Sequence, residues 1–366
     1  MEKPNKLRVI CSQFNLYGDF LVAQPFGNGH INDSYQVTYD QGGVRLHYML
    51  QRVNPNVFKK PAEVMANFER ITEHMLNLIR KAGKLTVKRT LRLIRTPDRC
   101  PYVIDDRGDY WRCYIFIERA RAYDVLEDET HAYMVARTFA EFQMDMTSLP
   151  GDRLYETIPD FHNTPKRLEA LDRAISEDRC GRRRLVSPEI EFIMARREEC
   201  GRLIRMKEAG ELPERITHND TKINNILIDD VSGEASCVID LDTVMPGLVH
   251  YDFGDMVRTA TNPADEDEQD LSQVKMRFSM YEALLRGYLS KASDFLTPAE
   301  RAELPFAGKL ITLEQGIRFL TDFLDGDVYF KTRRRNHNLD RCRTQLALVK
   351  SIEKQFDKMR KLADTI

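Results

Sequence analysis

Residues Thr217–Asn225 read THNDTKINN, and the apolar run Ile226-Leu227-Ile228 follows at once. A second apolar run, Ala235–Ile239, comes after the turn residues DDVSGE. The two runs predict a β-hairpin centred near Ser232-Gly233. Residues equidistant from that centre meet across the ladder, which sets Asn225 beside Asp240. An amide oxygen and a carboxylate are hard ligands suited to Mg²⁺, which takes one or two protein oxygens and completes its shell with water and phosphates. Asp220 remains as a second carboxylate able to accept a proton from an attacking hydroxyl. Lys222 can balance the charge of a transferred phosphoryl group. These are the parts of phosphoryl transfer from a nucleotide. A His-Asn-Asp-Thr cluster alone could equally be a turn or a helix cap. The spacing to Asn225 and to the hairpin ending in Ile239-Asp240 is what makes the functional reading specific.

Working outward, the chain of 366 residues is long enough for two domains. A formal net charge of −2 with 31% charged residues gives no mark of a nucleic-acid binder. The runs Arg182–Arg184 and Arg333–Arg335 read as solvated faces or loops, and the acidic run at 265–270 as the exposed start of a helix. Seven scattered cysteines without a CxxC predict a reduced, cytoplasmic protein rather than a disulfide framework or a zinc site. The N-terminal residues carry no apolar leader core, and no run approaches the roughly 18 apolar residues of a membrane span.

The first third is strand-rich, with runs at 21–26, 34–39, 45–50 and 85–95. A hairpin turns at Asp105–Gly108. One helix is predicted from Pro61 to Ala82, because Val64, Phe68, Ile71, Met75 and Leu78 share a face and Gly83 follows. After Phe116 the periodicity is helical over 129–147, 165–178, 188–209, 268–290, 307–324 and 339–364, with β structure only at 214–240. The expected class is α+β, with a small β-rich N-lobe over 1–116 and a larger helical C-lobe over 117–366.

His218-Asn219-Asp220 with Asn225 resembles the catalytic loop of the kinase superfamily, and VIDLD (238–242) stands where protein kinases carry Asp-Phe-Gly. The spelling, with HYDFGD (250–255) downstream, is similar to the aminoglycoside phosphotransferase and choline kinase branch. PFGNGHINDSY (25–35), LQRVN (50–54), IDLDTVMPG (239–247), LEQGIRFLTDFLDGDVYF (313–330) and HNLDRCRTQ (337–345) resemble the N-acetylhexosamine 1-kinases over nearly the whole chain. The resemblance implies a bilobal protein-kinase-like fold and Mg²⁺- and ATP-dependent phosphorylation of the anomeric hydroxyl of N-acetylglucosamine or N-acetylgalactosamine. It implies no nucleic acid, no membrane and no obligate protein partner. Asp220 would be the base, Asn225 and Asp240 the Mg²⁺ ligands, and Asp242 a near-site carboxylate toward the substrate. Asp252 and Asp255 would brace the loop.

At the phosphate end, GNGHIN (27–32) begins like a glycine-rich loop but has Asn32 in place of the third glycine. Backbone amides of Gly27, Asn28 and Gly29 would cover the nucleotide phosphates. The strand lysine of protein kinases is missing. Gln51 and Arg52 stand at that point, and strand alternation lets only one of them face the cleft. Glu69 is a candidate acidic partner. YIFIERA (114–120) would be the hinge, with the backbone near Ile117 pairing with adenine. At the acceptor end the candidates are His30, Arg318 and Tyr329, with Asp325 and Asp327 as possible hydroxyl partners and Trp111 or Tyr329 for stacking. The alternatives are a kinase of another small alcohol (choline, homoserine or an aminoglycoside) and a kinase-shaped binding protein without turnover.

Overall fold

The computed structural model describes residues 4–27, 31–83, 89–123, 126 and 128–366. The candidate residues Asn28, Gly29 and His30, and the start of the strand expected at 85–95, lie outside them. The chain divides into two compact units. The first comprises Met1–Arg121, Leu149–Pro159 and Leu227–Met245, and the second Ala122–Ser148, Asp160–Ile226 and Pro246–Ile366.

In the first unit, β1 (Asp19–Pro25), β2 (Asp33–Gln41), β3 (Val44–Arg52), β4 (Leu93–Ile94), β5 (Val103–Ile104) and β6 (Tyr110–Ile115) form an antiparallel sheet of order β1-β2-β3-β6-β4, with β5 also on β6. The short helix α1 (Pro4–Cys11) packs Leu7 and Ile10 with Val37, Leu50, Trp111 and Cys113 in one core. Trp111 is therefore core rather than a stacking residue, and its indole N–H donates to Asp105 at 3.0 Å. Helix α2 (Pro61–Lys81) follows the sequence period closely and buries Val64, Met65, Phe68 and Ile71. Its buried Asn67 donates to the carbonyls of Tyr155 (2.8 Å) and Val244 (3.3 Å) and accepts from the Tyr155 amide at 3.0 Å. One side chain thus pins three stretches of chain. Glu69 pairs with Arg95, on the flank of the helix. The hairpin of β9 (Ile226–Asp229) and β10 (Ala235–Val238) extends to β7 (Ala120–Arg121), with Ala120 opposite Asp229.

The second unit is helical, with α3 (Glu129–Met146), α4 (Thr164–Glu177), α8 (Val249–Thr261), α9 (Phe278–Ala292), α10 (Pro298–Asp325) and α11 (His337–Thr365) as its long elements. Helix α10 starts on a capping box, Thr297 with Glu300, and stops at Gly326 in the left-handed region. Its Leu313, Ile317, Leu320 and Phe323 pack with Leu168, Leu171, Leu339 and Val349. Two expectations are corrected. The helix expected over 188–209 is broken into α5 (Ser187–Met194), α6 (Arg197–Cys200) and α7 (Arg202–Glu208), interrupted at Arg196 and Gly201. The helix expected from 268 begins only at Phe278, because the acidic run forms turns. There Asp270 accepts from the Ser272 amide and hydroxyl, a local bond that competes with helix formation. Strand β8 (Arg215–Thr217) forms a two-stranded sheet with β11 (Met245–Gly247) and delivers the chain into THNDTKINN.

Candidate active site

The loop after β8 is held from beneath by one buried carboxylate. Asp252, in the first turn of α8, accepts from the amides of His218 (2.9 Å) and Asn219 (2.6 Å) and from the Gln143 side chain (2.6 Å). Tyr288 in turn donates to Gln143 at 2.5 Å. Burial pushes the Asp252 carboxyl upward, against the pull of His218 and the two amides. Thr221 donates its hydroxyl to the Asp252 carbonyl at 2.6 Å. The bracing role expected of Asp252 is the one its contacts describe. Asp255 lies one turn on and pairs with buried Arg258 at 2.8 Å.

Asn219 adopts a left-handed backbone with φ of 65°, a conformation asparagine tolerates better than most residues. Thr217 donates to its side chain at 3.0 Å, and its own amide returns to the Thr217 carbonyl at 3.1 Å. Gly247 presses against this knot. A Cβ there would stand 2.3 Å from Thr217 Oγ1 and 2.9 Å from Asn219 Oδ1. The next residue is Asp220. Lys222 Nζ pairs with its Oδ1 at 3.0 Å, and Asn225 Nδ2 donates to its carbonyl (2.7 Å) and its Oδ2 (3.2 Å). Burial opposes the charge, yet Lys222, His218 and Arg258 outweigh it and hold the carboxyl below the usual range. Asp220, Lys222 and Asn225 are thus brought together. The Asn225 amide group points its N–H to Asp220, which leaves Oδ1 as the end able to ligate a cation.

Asp240 follows β10 by two residues, as Asn225 precedes β9 by one. It is exposed and left-handed, with φ of 58°. The donor set of amide oxygen and carboxylate fits Mg²⁺. Asp242 is different. It is 2% exposed, and Arg112 grips both oxygens, Nη1 on Oδ1 and Nη2 on Oδ2 at 3.0 Å. Asn32 adds a bond to Oδ2 at 2.6 Å, and Thr157 donates to the Asp242 carbonyl at 2.7 Å. The Arg112 guanidinium also lies over the Phe68 ring, 4.2 Å from its centroid.

The sheet register explains which residues belong to this network. Ser34, Gln51 and Arg112 lie opposite one another on β2, β3 and β6 and so share a face. Gln51 Oε1 accepts from Arg112 Nε and Nη2 at 3.0 and 2.7 Å, and its Nε2 donates to Ser34 at 2.9 Å. Asp33, Arg52 and Trp111 form the neighbouring row on the other face. Arg52 binds Asp33 (2.5 Å) and Asp109 (3.0 Å) there. Sequence reasoning missed Arg112 and the bond from Asn32. The signal was an arginine inside the apolar strand Tyr110–Ile115, which a buried position tolerates only with a partner. Gly27 has a φ of 77° and open space around it. In the expected hinge, the Phe116 amide bonds His47 at 3.2 Å, and the carbonyls of Glu118 and Arg119 accept from Arg89 and Asp230. Half-buried Ile117 lies between them.

Arg318, on α10, stacks its guanidinium near three rings, with centroid distances of 5.3 Å to Phe161, 5.5 Å to Phe330 and 6.0 Å to Tyr329. Tyr329 is 53% exposed. Its loop is shaped by buried Asp322, which accepts the amides of Val328, Tyr329 and Phe330 at 2.9, 2.7 and 3.0 Å. Asp327 is engaged by Arg182 (2.6 Å) and Asn338 (2.9 Å), which makes it a structural residue of the turn. Among the described residues no helix is long and apolar enough to cross a membrane.

Residues 22–301 match the family profile described as the phosphotransferase enzyme family, APH. Solved structures share the fold at low identity. An aminoglycoside phosphotransferase from Alicyclobacillus acidocaldarius superposes with a TM-score of 0.64 at 14% identity, covering 100% of this chain and 98% of that one. A choline kinase from Cryptosporidium parvum gives 0.60 at 12% identity, covering 97% and 96%. A spectinomycin phosphotransferase in complex with ADP and spectinomycin gives 0.53 at 12% identity, covering 100% and 98%. The fold is kinase-like, with an antiparallel N-terminal sheet and a helical C-terminal part.

Proposed function

The chain belongs to the APH phosphotransferase enzyme family, and on that premise we propose that it is an ATP-dependent kinase of N-acetylhexosamines that phosphorylates the anomeric hydroxyl. The observation that carries the reading is the Asp220 carboxylate. It is kept ionised by Lys222 and oriented by Asn225 at the end of a loop whose backbone is bonded to a buried aspartate. A base must be charged before the reaction and aimed at the hydroxyl it relieves of its proton.

Asp220 accepts the proton of the acceptor hydroxyl as its oxygen attacks the γ-phosphorus. Lys222 then turns from Asp220 toward the transferred phosphoryl group. Asn225 and Asp240 would hold magnesium, which would supply charge neutralisation on the nucleotide phosphates. Asp242, locked to Arg112, fixes the segment that carries Asp240. Gly27, Asn28 and Gly29 would cover the phosphates, with Gln51 rather than Arg52, which lies on the other face of the strand, as the nearer strand residue. The backbone near Ile117 would take the adenine. No second nucleophile is called for, so transfer is direct.

Charge and shape support the proposed acceptor preference. Arg318 beside Phe161, Phe330 and exposed Tyr329 offers a cation and aromatic faces together. That combination suits a neutral polyol with an apolar ring face. It disfavours choline or an aminoglycoside, whose positive charge Arg318 would repel. His30, Arg318 and Tyr329 would orient the sugar. The test is ADP release with MgATP against a panel of N-acetylhexosamines, choline, homoserine and aminoglycosides. Turnover of the first group alone is expected. Turnover of an amino alcohol alone would move the assignment within the family, and nucleotide binding without any turnover would make the chain a kinase-shaped binder.

A further inference from the structure

The loop has a second support besides Asp252. Buried His162 reaches the Glu314 carboxylate from Nδ1 at 2.8 Å and the Asn219 carbonyl from Nε2 at 2.9 Å. Both partners are acceptors. A neutral imidazole has one N–H and could satisfy only one of them, so the two bonds together need the imidazolium. Glu314 is itself 1% exposed and receives the Thr164 hydroxyl at 2.5 Å. It lies one turn before Arg318 on α10, so a buried chain of contacts runs from the acceptor-side helix to the residue preceding Asp220.

We propose that His162, held doubly protonated between Glu314 and the Asn219 carbonyl, is a positioning residue for Asp220, and that loss of its proton releases the Asn219 carbonyl and lowers turnover at alkaline pH. The proposal rests on the reading of Asp220 as the base. The proton goes to solvent, and the nitrogen that loses it then faces a carbonyl or carboxylate oxygen with no hydrogen between them. The carboxylate is the stronger acceptor, so the surviving N–H stays on Glu314 and the Asn219 bond is the one lost.

The charged and titratable groups around His162 favour this state. Glu314 faces it from α10, and Tyr251 (ring centroids 4.9 Å apart) and Asp255 from α8, while the cations Arg318 and Arg167 act on Glu314. Burial alone would strip the proton, but Glu314 and the Asn219 carbonyl outweigh it and raise the His162 pKa, while Glu314 is lowered. The sign follows. Whatever His162 contributes is present in full below the ordinary histidine pKa and is lost as pH rises through the raised one.

The test uses the full chain with ¹⁵N-labelled histidine. The chain has eight histidines, and a His162→Gln variant assigns the resonance. At pH 7.5 both ring nitrogens of His162 should carry imidazolium shifts. As pH rises they should titrate together with the backbone amide signal of Asp220, a readout independent of any acceptor. Glu314→Gln should move that titration down by about one pH unit or more. With whichever acceptor is phosphorylated, kcat should fall over the same interval, and His162→Gln should lack that step. A neutral His162 at pH 7.5, or a titration that leaves the Asp220 amide unmoved, would overturn the proposal while leaving the kinase assignment standing.

Discussion

Asp220 and Asp242 both lie in the motifs proposed to serve phosphoryl transfer, yet they are held in opposite ways. Asp242 is 2% exposed, gripped by the planar fork of buried Arg112 and closed off by Asn32. Asp220 is a quarter exposed at its side chain, and its cation is Lys222, a single mobile ammonium whose side chain is 43% exposed. On the proposed reading, the difference separates a strut from a reacting group. A carboxylate with both oxygens in a buried bidentate pair cannot take up a proton without leaving a guanidinium uncompensated. A carboxylate paired with a flexible lysine can exchange that partner for a substrate hydroxyl.

The largest effect expected from breaking the contrast is Asp220→Asn. Turnover should drop by about 10²–10⁴-fold, the range for losing a general base, while the denaturation midpoint stays near the native value. Near-native turnover in that variant would remove Asp220 from the chemistry. Arg112→Ala should do the reverse. It leaves the Asp242 charge buried and should lower unfolding free energy by about 3–5 kcal/mol, measured by urea denaturation. The pair Arg112→Met with Asp242→Leu should lie closer to the native stability than either single change. If Arg112→Ala unfolds at the native midpoint, the strut reading of Asp242 is wrong.

A smaller effect is expected at Gly247, where a methyl group would collide with the Thr217 hydroxyl. Gly247→Ala should cost about 1–3 kcal/mol of stability and lower kcat by up to about 10²-fold through displacement of Asp220. An unchanged kcat would mean that the knot around Asn219 does not govern the position of Asp220. The smallest effect is one read in the pH profile, that of Lys222→Met. Lys222 depresses the Asp220 pKa, so its removal lets Asp220 protonate at higher pH. The acid limb of the kcat/KM profile should move up by about one pH unit. A limb that stays in place would show that Lys222 does not set the charge of Asp220.

The same contrast explains what could be read before any coordinates. Asp220, Lys222 and Asn225 sit within six residues, so their meeting is local and the hairpin turn betrays it. The strand rows, helix α2, the C-terminal end of α10 and the ends of α11 were legible for the same reason, since period and caps are local signals, whereas the start of α10, expected at 307, lies at Pro298 on its capping box. The Asp242 network was not. Its members, Asn32, Gln51, Arg112 and Asp242, come from four separated segments, and only the antiparallel register brings Gln51 opposite Arg112. His162 was equally silent, because its partners lie 57 and 152 residues away. Where expectation failed in secondary structure, at 268–277 and 188–209, short polar side chains and a glycine overrode an apolar period.

The central claim is that Asp220 serves transfer to an anomeric hydroxyl. That hydroxyl is more acidic than an ordinary alcohol, so one aspartate is enough to assist its deprotonation. Phosphorus NMR of the product made from MgATP and N-acetylgalactosamine or N-acetylglucosamine tests this most directly. The account predicts a phosphorus signal coupled to the single anomeric proton, absent with Asp220→Asn. A signal coupled to the two C6 methylene protons would contradict it.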